Sequence, residues 1–108
     1  GVFLVDEGLF DEARKALERA ARYSNNPAGL NNNWGYYYYK LGRYEEAVNS
    51  YRRSVELRPG NFRYYNNLGL AFYHAGKRDQ AAVVFRRSLE INPQQPTLLH
   101  FLEEYGIN

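Results

Sequence analysis

The side chains in this sequence that are best suited to holding a ligand are asparagines and tyrosines that recur thirty-four residues apart. Asn33 and Asn67 are separated by this interval, and so are Tyr39 and Tyr73. An asparagine amide offers both a donor and an acceptor, so it can hold a peptide group through paired hydrogen bonds. A tyrosine adds rigid contact area with one polar end, which is typical of interaction hot spots. These residue types predict a binding surface.

Groups that could perform catalysis are few and scattered. The chain has no cysteine, which excludes disulfides, thiolate metal sites and a cysteine nucleophile. The two histidines, His74 and His100, have no second histidine at metal-ligand spacing. The glycines follow a repeat instead of forming a phosphate-binding loop. We therefore expect no enzymatic activity, no metal site and no cofactor.

The interval of thirty-four residues extends over most of the chain. Residues 28–61 and 62–95 align without a gap and carry the same residue at eleven positions. A fixed period of this length is typical of a solenoid, in which each unit buries its apolar face against its neighbours. The period predicts a single domain, divided into a partial repeat (1–27), two full repeats (28–61 and 62–95) and a capping helix (96–108).

Each full repeat predicts two helices. Gly42 and Gly76 stand at the turns, where glycine adopts the left-handed conformation at little cost. Pro59 and Pro93 stop the second helix of each repeat. Short loops between helices of three to four turns make neighbouring helices antiparallel. The predicted helices run from about 28 to 41, 45 to 57, 62 to 75 and 78 to 91.

The two ends of the chain are predicted to be incomplete repeats. Gly8 is in step with Gly42, so the chain is expected to begin partway along a helix, and a clear amphipathic pattern starts at Phe10 and ends between Ser24 and Pro27. At the other end, a helix over 97–105 has no following partner and is expected to cap the stack. Its packing residues are predicted to be Leu98, Leu99, Phe101 and Leu102.

The repeat resembles the tetratricopeptide repeat, whose signature is Trp-x-x-Leu-Gly-x-x-Tyr, then Ala-x-x-x-Phe, then Pro. Repeat 28–61 matches with Trp34, Gly35, Tyr38, Ala47, Tyr51 and Pro59. Repeat 62–95 matches with Leu68, Gly69, Phe72, Ala81, Phe85 and Pro93. The partial repeat keeps only Gly1, Leu4, Ala13 and Leu17. The resemblance implies an all-α, right-handed superhelical solenoid of antiparallel helix pairs.

The resemblance also implies a protein-interaction module that binds a peptide segment of a partner in its concave groove. Some arrays of this family grip a peptide backbone with a ladder of asparagines, which singles out Asn33 and Asn67. The same asparagines could instead bond to a neighbouring helix or to water. The inward-facing positions carried over from the family are Asn32, Asn33, Tyr36, Tyr39, Lys40, Arg63, Asn66, Asn67, Leu70, Tyr73 and His74.

A subset of the family binds the C-terminal carboxylate of chaperones through a clamp of Lys, Asn and Arg. Asn33 matches the clamp asparagine and Arg63 matches one of its cations. However, Asn67 stands where a second cation belongs, and Val2 stands where an upstream asparagine belongs. A chaperone-tail binder is therefore not expected.

Two other functions stay open. The incomplete first repeat leaves apolar residues around Phe3, Leu4 and Phe10, and exposed solenoid ends invite self-association, so a homo-oligomeric scaffold is the main alternative. A basic stripe on the second helices could contact nucleic acid, but a net charge of only +2 argues against it. The stripe consists of Arg52, Arg53, Arg86 and Arg87.

The sequence does not specify a compartment. No run of eighteen apolar residues predicts a membrane span, and nothing at the N-terminus resembles a signal peptide. Met is absent even at residue 1, so the chain is expected to be a fragment or a processed form. The cytoplasm is the default expectation.

Overall fold

The computed structural model describes the backbone of residues 2–107 and the side chains of residues 9–107. This part of the chain forms α1 (Val2–Tyr23), α2 (Pro27–Lys40), α3 (Tyr44–Leu57), α4 (Phe62–His74), α5 (Arg78–Ile91) and α6 (Pro96–Glu104). Helix α2 packs on α3, α4 packs on α5, and α3 packs on α4 between the pairs. The predicted all-α solenoid of helix pairs is confirmed.

The turns within the two full repeats form at the predicted glycines. Gly42 and Gly76 have φ angles of 77° and 81°, in the left-handed region. After Gly42, the N–H of Arg43 donates to the carbonyl of Tyr38 at 2.9 Å, and the turn at Gly76 contains the equivalent bond. This hydrogen bond satisfies a carbonyl that the end of the helix leaves without a partner.

Pro27 begins α2, although the sequence pattern predicts that it ends the preceding helix. It lies in the first turn of α2, behind the capping residue Asn26, whose Oδ1 accepts a hydrogen bond from Gly29 N at 3.1 Å. Proline suits this position because the N–H that it lacks would have no partner within the helix.

The first helix is longer than the repeat pattern predicts. Helix α1 continues without a break through Gly8, the position that is in step with the turn glycines. Glycine permits a turn but does not require one, and the described residues contain no separate first helix that could pair with α1. The predicted roles of Gly1, Val2, Phe3 and Leu4 lie outside the described residues and side chains.

The helices of each pair approach closely where the sequence places its repeated glycines. A Cβ atom added to Gly35 would lie 2.5 Å from Tyr51 Cδ1, and one added to Gly69 would lie 2.5 Å from Phe85 Cε1. Tyr51 and Phe85 are both buried. These glycines therefore allow the paired helices to approach closely.

Helix α6 covers the end of the stack through one face. Leu98 is buried, and Phe101 and Leu102 pack against the core. The predicted packing role of Leu99 is wrong, because its side chain lies on another face and is 48% exposed. Ile107 is buried instead, since a turn after α6 returns the chain and its N–H bonds to the carbonyl of Leu102 at 2.9 Å.

Candidate binding groove

Three adjacent clefts run across the first helices of the repeats. A cleft of about 320 Å³ lies between α1 and α2, one of about 90 Å³ between α2 and α4, and one of about 290 Å³ between α4, α5 and α6. Tyr36 lines the first and second clefts, and Leu70 lines the second and third. The three clefts are therefore neighbours, and we call them together the groove.

Seven of the eleven predicted site residues line this groove. Asn33 and Lys40 belong to the first cleft, and Lys40 Nζ lies 5.6 Å from the centroid of the Tyr36 ring. Helical periodicity brings them together, because side chains three and four residues apart share a face. The seven residues are Asn33, Tyr36, Tyr39, Lys40, Asn66, Asn67 and Leu70.

Tyr73 and His74 lie at the C-terminal end of α4 in an aromatic cluster. The His74 ring stacks on Tyr44 with the ring centroids 5.2 Å apart, and it meets Tyr39 edge-on at 5.4 Å. Tyr73 packs edge-on against Phe101 of the capping helix at 5.6 Å. Burial raises the pKa of Tyr39 above its ordinary value. The cluster therefore packs against Tyr39, the one of its tyrosines that also lines the groove.

Arg63 lies apart from the other predicted site residues. It lines a separate surface pocket of about 570 Å³ beside the loop between α3 and α4, together with Arg58 and Asn61. Its guanidinium group sits over the Phe62 ring, 5.2 Å from the centroid. Arg63 therefore does not line the groove, although it lies one helical turn before Asn67 on α4.

The four predicted asparagines have different hydrogen-bond partners. Asn67 Nδ2 donates to Asn32 Oδ1 at 2.9 Å and so links α4 to α2. Asn33 is exposed, and within the described side chains it makes no side-chain hydrogen bond. Asn32 therefore supports the neighbouring helix, while Asn33 presents its amide to the groove.

Asn66 belongs to a closed ring of hydrogen bonds that anchors the capping helix. The Ser88 hydroxyl donates to Asn66 Oδ1 at 2.5 Å, Asn66 Nδ2 donates to Gln95 Oε1 at 2.7 Å, and Gln95 Nε2 donates back to Ser88 Oγ at 2.9 Å. Ser88 and Gln95 are buried. Asn66 thus has a structural role in addition to lining the third cleft.

Sequence reasoning missed Ser88 and Gln95. A signal was available, because Ser54 and Ser88 occupy the same step of the repeat in otherwise apolar helix faces. Both are buried, and the Ser54 hydroxyl donates to the carbonyl of Ala28 at 2.9 Å. An identical polar residue at equivalent core positions indicates that the same hydrogen bond between the paired helices recurs in both repeats.

We expect Ser88→Ala to lower the free energy of unfolding by about 2 kcal/mol, because it removes the hydroxyl's bonds to Asn66 Oδ1 and Gln95 Nε2, while Gln95 Nε2 keeps the carbonyls of Ser88 and Asn92. Ser54→Ala is the matched control, since it removes a single bond to a carbonyl and is expected to cost about 1 kcal/mol. Urea unfolding of both variants measures the difference. Equal losses would contradict the assignment of the ring as the anchor of the cap.

The four arginines of the predicted stripe are all exposed on α3 and α5. Arg87 pairs with Glu90 at 3.0 Å, three residues further along the helix. The guanidinium group of Arg52 lies 5.8 Å from the centroid of the Phe72 ring. Such solvated contacts contribute little to stability, and nucleic-acid binding stays an unsupported alternative.

Other site types have no support in the described residues. Within 2–107, no helix is both long and apolar enough to cross a membrane. Among the same described residues, no group of three His, Asp or Glu side chains is arranged to hold a metal ion. The groove is therefore the feature that combines concavity, apolar surface and available polar groups.

Two family models match the repeats in this structure. Residues 35–76 match a TPR repeat model, and residues 62–95 match the tetratricopeptide repeat model. The chain belongs to the tetratricopeptide repeat family. Its repeats make it a protein–protein interaction module. No curated protein matches the sequence.

Several solved structures resemble this chain. The first TPR of Spaghetti (RPAP3), bound to the HSP90 peptide SRMEEVD, aligns over 93% of this chain and 79% of its own, with a TM-score of 0.80 and 21% identity. A MamA crystal structure aligns over 88% of this chain with a TM-score of 0.70 and 29% identity. The chain spans about half the length of MamA, 54% in that comparison. The likeness to the first TPR of Spaghetti concerns the fold alone.

Proposed function

We propose that this tetratricopeptide chain binds an extended peptide segment of a partner protein in its groove. The observation that carries the proposal is that the three clefts lie next to one another and share lining residues. Tyr36 and Leu70 each line two clefts, so successive side chains of one ligand can enter neighbouring clefts while its backbone passes over these two residues. Small isolated pockets would not accept an extended chain in this way.

The polar side chains of the groove are suited to a peptide backbone. Asn33 has an exposed amide, and Asn67 Oδ1 accepts no hydrogen bond from the described side chains, while its Nδ2 is held by Asn32. An amide that a neighbouring helix already orients loses little conformational freedom when a ligand binds. Asn33 and Asn67 therefore serve as the residues that fix the backbone of the peptide.

The third cleft gives the groove its apolar end. Leu70, Phe85, Leu98 and Phe101 line it, and its volume of about 290 Å³ is large enough for one bulky side chain. Apolar pockets with a few polar groups at the rim are typical of ligand sites. A peptide with an aliphatic or aromatic residue at this position is the ligand that fits.

A random peptide library displayed on phage supplies the probe for a test. Peptides selected on the parent chain are synthesised, and their affinities are measured by isothermal titration calorimetry. We expect Asn33→Ala/Asn67→Ala to weaken binding about tenfold or more, because each lost hydrogen bond is worth about 1 kcal/mol. Asn49→Ala is the matched control, since Asn49 is exposed on the outer helix α3.

Both variants must first show the helical signal and the melting temperature of the parent. The proposal is contradicted if selection yields no peptide above background. It is also contradicted if the double variant binds the selected peptides as tightly as the Asn49→Ala control does.

A further inference from the structure

One side of helix α1 packs against no other helix within the described residues. Among residues 9–23, none is buried, and within the described residues α1 contacts only α2. The side that faces α2 includes Phe10, whose ring meets Tyr37 edge-on at 6.2 Å, and the half-buried Leu17. The side chains of Leu9 and Tyr23 are 68% and 85% exposed to solvent.

The uncovered side of α1 corresponds to the core side of the other second helices. Ala13 and Ala20 are in step with Ala47 and Ser54 of α3. Those two α3 residues are fully buried against α2, whereas Ala13 and Ala20 are exposed. In the full repeats, an antiparallel helix therefore covers the face that α1 leaves open.

The exposed apolar residues of α1 follow the spacing of a helix–helix seam. Their steps alternate between four and three residues, which is the heptad pattern of two packed helices. Small residues at the centre of the seam permit a close approach of the two helix axes. The seam consists of Leu9, Ala13, Ala16, Ala20 and Tyr23.

The charges along α1 decide which helix fits this seam. Residues 2–12 contain four acidic and no basic residues, whereas residues 13–23 contain four basic residues and one acidic residue. The two halves thus carry charges of −4 and +3. A second α1 placed antiparallel would lay each acidic half on a basic half, whereas a parallel placement would oppose like charges.

We propose that the chain forms a two-fold symmetric dimer in which α1 of one copy packs antiparallel on α1 of a second copy through the seam. In this register Ala13 lies opposite Ala16 of the second copy. Glu12 and Arg19 flank the seam on the same edge, and both are exposed. The symmetry brings Glu12 of each copy opposite Arg19 of the other, so the interface contains two equivalent ion pairs.

Sedimentation equilibrium over a concentration series from the low-micromolar to the millimolar range tests the dimer. The parent is expected to pass from 12.6 kDa to twice that mass. Glu12→Arg and Arg19→Glu each place like charges opposite each other, so each is expected to raise the dissociation constant about tenfold or more. The double variant Glu12→Arg/Arg19→Glu restores opposite charges and is expected to restore the dimer.

Arg22→Glu is the matched control, because it changes the charge of the same helix on the side away from the seam and is expected to leave the dimer intact. Circular dichroism checks that every variant keeps the helicity of the parent. A parent that stays monomeric at millimolar concentration overturns the proposal and leaves the seam to another segment or protein. A dimer that neither single reversal weakens, or that the double variant does not restore, overturns it as well. Ala13 and Ala16 of the seam also line the first cleft, so the second copy and a peptide would compete for that cleft. None of the three substituted residues lines the groove, so the charge reversals test the dimer without changing the peptide site.

Discussion

Replacing Gly35 by leucine is expected to unfold the repeat around it and to lower the free energy of unfolding by about 3 kcal/mol or more. A single added Cβ atom would already lie 2.5 Å from the Tyr51 ring. Tyr51 is only 2% exposed and is enclosed by core residues, so it cannot move aside without displacing α3. Leucine adds three further carbon atoms at the point where α2 and α3 are closest.

Gly60→Leu is the matched control for this substitution. A Cβ atom added to Gly60 meets no atom within 4 Å, and the residue lies in the exposed loop between α3 and α4. We expect the control to unfold in urea close to the parent, while Gly35→Leu unfolds at a much lower concentration. A Gly35→Leu variant that retained the parental midpoint would show that the glycine is not the contact point of the helix pair.

Phe85→Ala is expected to lower the free energy of unfolding by about 3–5 kcal/mol, the range for removing a buried aromatic side chain. Phe85 is 1% exposed, fills the space over Gly69 and meets the Phe101 ring with the centroids 5.8 Å apart. It therefore joins the last full repeat to the capping helix. Its loss leaves a cavity that the neighbouring backbones can only partly close.

Val83→Ala on the same helix is the control for this second prediction, because Val83 is 56% exposed and its loss opens no cavity. We expect it to change stability by less than about 0.5 kcal/mol. Thermal unfolding followed by circular dichroism compares the two variants. Similar losses of stability for both variants would show that Phe85 is not at the core of repeat 62–95.

Most of the helix pairing could be predicted from the sequence because its signals are local and repeated. Gly42 and Gly76 end helices through their own backbone conformation, and the Gly35–Tyr51 contact follows from a small residue opposite a large one. The path of α1 could not be predicted, because the helix continues through Gly8 and a glycine permits a turn without requiring one. The predicted packing of Leu99 was wrong because Leu98, Phe101 and Leu102 share one face at helical spacing, and Leu99 lies off that face.

The candidate site was predictable only in part. Helical spacing placed Asn33, Tyr36 and Lys40 on one face, and they line one cleft. The clefts themselves are formed by several neighbouring helices, so their arrangement next to one another could not be predicted from a single repeat. The role of Asn66 was also hidden, because its partner Gln95 follows it by twenty-nine residues and reaches it only through the loop before α6.

Nuclear magnetic resonance of the asparagine side-chain amides, recorded while a selected peptide is added, tests the groove most directly. If the peptide binds in the groove, we expect the amide signals of Asn33 and Asn67 to shift with increasing peptide, while the signal of Asn49 on the outer helix α3 does not shift. Shifts confined to the pocket beside Arg58 and Arg63, or to the outer faces of α3 and α5, would contradict peptide binding in the groove.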